Sequence, residues 1–192
     1  MQMKPDYRKI YQLAKPYLET RHNDVHTDIS IRFAYQLLAV EGGSEAIVLP
    51  AVILHDVGWK KIPEHLHLKA FGPNANSPEL NRLHEVEGVK IAGNILKQVN
   101  YPEEKIYEII TIIEGHDSRQ AAMSQNDRIV KDADKLWRYS KQGFQIDLER
   151  FAESFAQGLN RLRKNLSVWF FTGTGKKLAK EELLQREKEA GI

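Results

Sequence analysis

The stretch Glu45–Trp59, EAIVLPAVILHDVGW, constrains this chain more than any other feature. Its apolar run gives no period-2 alternation and no polar helical face. The element that carries it is therefore buried on all sides. A buried strand competes with a buried helix. Helix is favoured because residues 45 to 57 exceed ordinary strand length and the neighbouring segments read as helical. The run ends directly on His55 and Asp56. A carboxylate beside an imidazole at the edge of a core is costly unless something compensates. A metal ion does so, because it takes a neutral histidine nitrogen and an ionised carboxylate together. The plainer alternative is that Asp56 caps a turn and His55 is a satisfied core histidine.

Apolar spacing predicts helices over most of the rest. Pro5 to about Thr20 places Tyr7, Ile10, Tyr11, Ala14 and Leu18 on one face, with Pro16 bending or ending the helix. Asp24 to Val40 follows, closed by Gly42-Gly43, and Ser44 starts the buried helix. Residues 58–77 carry Gly, Pro and Asn punctuation and read as a long loop around a short helical turn. Helices resume at Pro78–Val99, Pro102 to about His116, 127–140 and 147–166, and the Lys- and Glu-rich tail from about Lys176 reads as a solvated helix. The expected fold class is all-α, a single-domain helical bundle over residues 1–192, since no repeat or composition break divides it.

Bulk composition narrows the function classes. There are no cysteines, which excludes disulfides, thiolate metal sites and thiol catalysis. The N-terminal MQMKPDYRKIYQLAKPY lacks the apolar stretch of a signal peptide, and no run approaches the roughly 20 apolar residues of a membrane span. A cytoplasmic protein without membrane partners is expected. The formal net charge is only +2, so nucleic acid is not an expected partner despite a pI near 8.7.

Three signals lie apart in the chain and gain meaning together. His26 sits inside an amphipathic helix, in RHNDVHTDISIRFA. His55-Asp56 closes AVILHDVGW. Asp132 and Asp134 occur in IVKDADKL at a helix start. Each alone has an ordinary structural explanation, a core histidine or a helix N-cap. The order of one histidine, a His-Asp pair after an apolar helix, and an aspartate in a DAD segment resembles the HD superfamily of metal-dependent phosphohydrolases. The resemblance covers about residues 20–140, with 147–192 left as a C-terminal helical extension.

The resemblance implies His26, His55, Asp56 and Asp134 as ligands of one divalent ion. Asp132 would support a ligand or cap the helix. It also implies a place for a second ion at His84, in NRLHEVEGVKIAGNIL, and His116, in TIIEGHDS, with Asp56 bridging the two. The alternative for these two histidines is contact with substrate phosphate. Asp56, His84 and His116 are then the catalytic candidates. A ligand set rich in histidine and carboxylate suits Fe, Mn, Co, Ni or Zn rather than Ca. HEVEG is not the HExxH of zinc proteases, because Gly88 stands where the second histidine belongs. His22 is set aside in favour of His26, and His65 and His67 are expected in solvent or at the pocket mouth.

The implied activity is hydrolysis of a phosphate ester or anhydride, of a nucleotide or similar small molecule, by metal-activated water. Lys60, Lys61 and Arg21 are candidates for binding a phosphorylated small-molecule substrate, with solvated surface charge as the alternative. Relatives acting on guanosine tetraphosphate or nucleoside monophosphates carry an acidic residue where this chain has Gly58, Trp59 and Lys60, and the GYP segment of cyclic-dinucleotide phosphodiesterases is missing. A general acid must come from elsewhere, with Asp117, Glu114 and Glu85 as candidates. Competing readings are a di-iron oxygenase on the same ligand set and a non-catalytic ligand-sensing module. The oligomeric state is open and a dimer is compatible with the sequence.

Overall fold

The structure is a computed structural model that describes residues 3–191. It is all-α, with no strand among the described residues. Among the described residues ten α-helices follow one another: α1 Pro5–Leu18, α2 Asn23–Glu41, α3 Glu45–Leu54, α4 His67–Ala70, α5 Pro78–Gln98, α6 Glu103–Glu114, α7 Gln125–Leu136, α8 Lys141–Phe151, α9 Phe155–Asn165 and α10 Gly173–Glu189. No helix of the described residues is long and apolar enough to cross a membrane.

The apolar run is a helix, not a strand. α3 is enclosed by α1, α2, α6 and α7, and Val48 through Leu54 are all buried. Each aliphatic side chain so enclosed contributes about 1.5–3 kcal/mol. Pro50 lies inside α3 without ending it. Pro16 likewise sits inside α1, which runs on to Leu18. The glycine pair after α2 takes positive φ at both positions, 72° and 94°. Only there can the chain reverse so soon without a Cβ clash.

Several boundaries differ from the sequence reading, each for a local reason. The expected helix 147–166 is two helices, because Ala152 turns into the left-handed region (φ 52°) and Ser154 restarts the chain in a reciprocal capping box with Gln157. The expected helix 127–140 begins at Gln125, N-capped by Ser124, and ends at Leu136 in a 3₁₀ turn over Trp137–Tyr139. The segment 58–77 is more ordered than a loop. It holds 3₁₀ turns at Val57–Lys61 and Glu64–Leu66 and the short α4, folded over Trp59, Ile62 and Ala70 as a second small apolar cluster.

Two contacts set the position of the site. Gly58 lies so close to α5 that a side chain there would overlap the His84 carbonyl. This glycine lets the turn after the His55-Asp56 pair rest on the helix that carries His84. On the far side, the buried carboxylate of Asp132 accepts from the backbone N–H groups of Phe171 (2.8 Å) and Thr172 (2.9 Å) and from the Thr172 hydroxyl (2.6 Å). Thr172 is the N-cap of α10, so Asp132 fastens the C-terminal helix to α7 and takes no part in the His/Asp cluster.

Candidate metal centre

Six buried side chains from five elements converge at the carboxyl end of α3. His26 comes from the first turns of α2 and His55 from the residue after α3. Asp56 comes from the following turn, His84 from α5, His116 from the turn after α6, and Asp134 from the last turn of α7. They form two groups around Asp56.

In the first group the Nε2 atoms of His26 and His55 lie 3.1 Å apart. Asp134 Oδ1 is 3.2 Å from His26 Nε2 and 3.5 Å from His55 Nε2. In the second, the Nε2 atoms of His84 and His116 lie 3.2 Å apart, with Asp117 Oδ2 at 3.9 and 3.8 Å from them. Asp56 Oδ1 stands between the groups, 3.8 Å from His55, 3.9 Å from His84 and 3.5 Å from His116.

The tautomers are set from behind. His55 Nδ1 donates to the Val52 carbonyl at 2.8 Å and His116 Nδ1 donates to the Ile113 carbonyl at 2.8 Å. Both rings therefore turn an Nε2 lone pair inward. Trp59 Nε1 donates to Asp56 Oδ1 at 3.0 Å. Inward imidazole nitrogens 3.1 and 3.2 Å apart, with carboxylate oxygens among them, fit a divalent transition cation. HD domains bind divalent metals, and these groups have the donor chemistry to hold one.

Charge in the cluster is uneven. Burial pushes Asp56 up, but His55, His116, His26 and Arg21 outweigh it and hold the carboxyl well below its usual value. Asp134 is likewise held well below its usual value, against burial, by Lys135 and the two facing histidines. Burial drives His84 down to about 4. His116 is raised to about 9, because Asp56 and Asp117 outweigh its burial. The carboxylates stay ionised and compete for cations, whether imidazolium protons or a metal.

Several groups at the centre were not singled out by sequence reading. Lys135 Nζ donates to Asp134 at 2.7 Å and to Asp117 at 2.6 Å, tying together one carboxylate from each group. The buried Lys131 ammonium donates to the carbonyls of Gly115, His116 and Arg119 and fixes the turn that presents His116 and Asp117. Trp59 stacks on His84. Lys135 follows the DAD segment and Trp59 the HDVG turn, so their motif adjacency was the available signal. Lys131 had none.

The substrate-binding candidates fall in different places. Arg21 occupies the left-handed region (φ 53°), as does His22 (φ 60°). Such backbone costs about 1–2 kcal/mol for each non-glycine residue. The turn carries the Arg21 guanidinium into the corner formed by Trp59 and Phe71, whose planes are inclined by 67°, 4.0 Å from each centroid. Its Nε and Nη1 are buried and make no hydrogen bond. Lys60 is exposed and donates to the Glu19 carbonyl at 3.0 Å, while Lys61 is exposed. His22 and His65 are exposed. His67, expected in solvent or at the mouth, is buried because its Nε2 pairs with the Ile62 carbonyl (2.9 Å) and its ring meets Trp59 edge-on.

The general-acid candidates separate too. Glu85 is buried and accepts from the backbone N–H of Asp117 and Ser118 and from the Ser118 hydroxyl, so it shapes the turn. Glu114 is paired with Arg82 at 2.8 Å. Asp117 lines the centre, but Lys135 and His116 hold its carboxyl low against burial, which keeps it a carboxylate.

No curated protein matches the chain. The structure is similar to the crystal structure of a predicted HD superfamily hydrolase from an uncultured Thermotogales bacterium. That likeness has a TM-score of 0.63 at 16% sequence identity and covers 96% of this chain and 88% of the other. The HD domain family matches residues 25–138, a span that holds all six converging side chains. The chain belongs to the HD domain family.

Proposed function

We propose that this protein is a metal-dependent phosphohydrolase that cleaves a phosphate ester or anhydride of a small molecule. The observation that carries the reading is the pairing of two His/Asp groups through Asp56 with a half-buried arginine beside them whose Nε and Nη1 make no hydrogen bond. His26, His55, Asp56 and Asp134 would hold one ion, and His84, His116, Asp117 and Asp56 a second. When bound, a divalent transition metal supplies Lewis acidity and lowers the pKa of water toward neutrality.

The chain's own residues do the rest. Burial pushes the Arg21 guanidinium below its ordinary value against the pull of Asp56, which marks a cation short of an anionic partner. A non-bridging phosphoryl oxygen satisfies its free N–H donors and gains charge-assisted hydrogen bonds. Trp59 and Phe71 contact the guanidinium and hold it in place. Lys135 keeps Asp134 and Asp117 oriented and ionised. An anionic substrate is favoured, because Lys135 and Arg138 line the opening next to the centre.

The test is release of phosphate from p-nitrophenyl phosphate and a panel of nucleotides with Mn, Co, Ni, Fe or Zn, run beside Asp56→Ala. Turnover that depends on metal and is abolished in the variant is expected. Activity unchanged in Asp56→Ala would overturn the proposal.

A further inference from the structure

A cleft of about 550 Å³ opens from the candidate centre. Asp117 and Lys135 form its inner end, and Arg138, Arg161, Lys164 and Trp169 line it further out. Arg161 and Lys164 belong to α9, beyond the residues that match the HD domain family. The composition of this wall is unexpected for a merely structural surface.

The wall is organised by Asp147, whose carboxylate is fully buried on α8. Arg138 Nη1 donates to it at 2.6 Å, Arg150 Nη1 at 3.2 Å and Arg161 Nη1 at 3.3 Å. Glu153 accepts a further bond from Arg161 Nε at 2.9 Å. Three guanidinium groups and the Lys164 ammonium therefore meet two carboxylates. No ion pair holds Lys164 among the described residues. Arg161 Nη2 is buried and makes no hydrogen bond. One carboxylate is enough to seat one guanidinium. Arg138 and Arg161 share Asp147 with Arg150, and with the exposed Lys164 they leave positive charge along the cleft, which is costly unless an anion completes it.

We propose that this cleft is a second anion subsite, in which Arg138, Arg161 and Lys164 hold an anionic group of the substrate remote from the phosphoryl group that is cleaved. The proposal rests on the hydrolase reading and deepens it. The substrate class is a compound with at least two anionic groups, an oligophosphate or bisphosphate, rather than a simple monoester. Arg138 and Arg161 are pre-oriented by Asp147, so their side-chain entropy is already spent before the ligand arrives.

Calorimetric titration with inorganic triphosphate and with orthophosphate, at constant free Mn²⁺, tests this. The wild type binds triphosphate at least about tenfold more tightly. Lys164→Glu and Arg161→Gln each reduce that preference by about threefold to tenfold, leave the orthophosphate affinity unchanged, and Lys164→Arg keeps the wild-type preference. Lys164 is exposed, so its variants stay folded and carry the test if Arg161→Gln does not. Equal affinity for the two anions in the wild type, or a loss shared equally by both anions in Lys164→Glu, overturns the subsite. The hydrolase reading fails separately: a triphosphate preference that Lys164→Glu removes, without turnover of any phosphoester, keeps the subsite and discards the hydrolysis.

Discussion

Trp59 lies flat on His84, with ring centroids 4.2 Å apart and planes inclined by 14°, while its indole N–H reaches Asp56. One side chain thus orients a histidine of one group and the carboxylate shared by both. Trp59→Phe keeps the stacking surface and deletes the donor. Groups that orient metal ligands from behind are worth about 10–100-fold in metal affinity. Calorimetry with Mn²⁺ or Co²⁺ will show weakening of this order. A variant that binds metal as tightly as the wild type would remove Trp59 from the account.

A cation between the inward nitrogens couples metal to folding. A ligand at 100 times its dissociation constant stabilises the native state by about 2.7 kcal/mol. Adding Mn²⁺ or Co²⁺ to chelator-treated protein will raise the thermal midpoint, and Asp134→Ala will abolish most of the rise. Asp134 lies within 3.5 Å of both His26 and His55 Nε2, so no other carboxylate of the first group replaces it.

Arg21 separates activity from stability. Removing a charge-assisted hydrogen bond costs about 1.5–3 kcal/mol, so Arg21→Gln will lower kcat/KM for a phosphoester about 10–100-fold. The variant also removes two buried donors, Nε and Nη1, that make no hydrogen bond, which offsets the lost ring contacts, so its urea midpoint will not fall. Arg21→Lys will not restore activity, because an ammonium lacks the planar fork of donors that a guanidinium presents to a phosphoryl oxygen. A parallel loss of stability and activity would make Arg21 a structural residue.

Asp132 predicts a pH dependence away from the metal centre. Burial pushes its carboxyl up to about 6, more than the three hydrogen bonds it accepts pull it down. An unfolded aspartate titrates near 3.8. Between these values the native state keeps a proton that the unfolded state has released, so stability falls as pH rises through the window. The stabilising contribution is complete below about pH 4 and gone above about pH 6. The difference corresponds to about 3 kcal/mol. Asp132→Asn removes this slope, so the stability of the wild type relative to the variant will decline from pH 4 to 7. Parallel curves for the two proteins would refute it.

The fold was legible where a pattern had no alternative partner. An apolar run as long as Ala46–Leu54 has to be enclosed, and the order of His26, His55-Asp56 and Asp134 marked the residues that meet at its end. His84 and His116 also arrive there, on either side of the α5–α6 turn. What was hidden depends on three-dimensional proximity. Asp117 approaches His84 only because Glu85 and Lys131 fold the turn after α6. Arg21 gains its place from two left-handed residues, which no composition rule foretells. The break between α8 and α9 did carry a sequence signal, Ser154 three residues before Gln157, and that capping pair outweighs the continuous polar pattern on both sides.

Asp147 gives the molecule a division of labour. The segment that carries the converging histidines ends at Arg138, and the next two helices contribute the opposite bank of the cleft through that single buried carboxylate. On the proposed reading, the converging His/Asp cluster and the anion-binding bank occupy separate stretches of chain joined at one pivot. Replacing the outer bank by another pair of helices would then change which anion is held while leaving the cluster untouched.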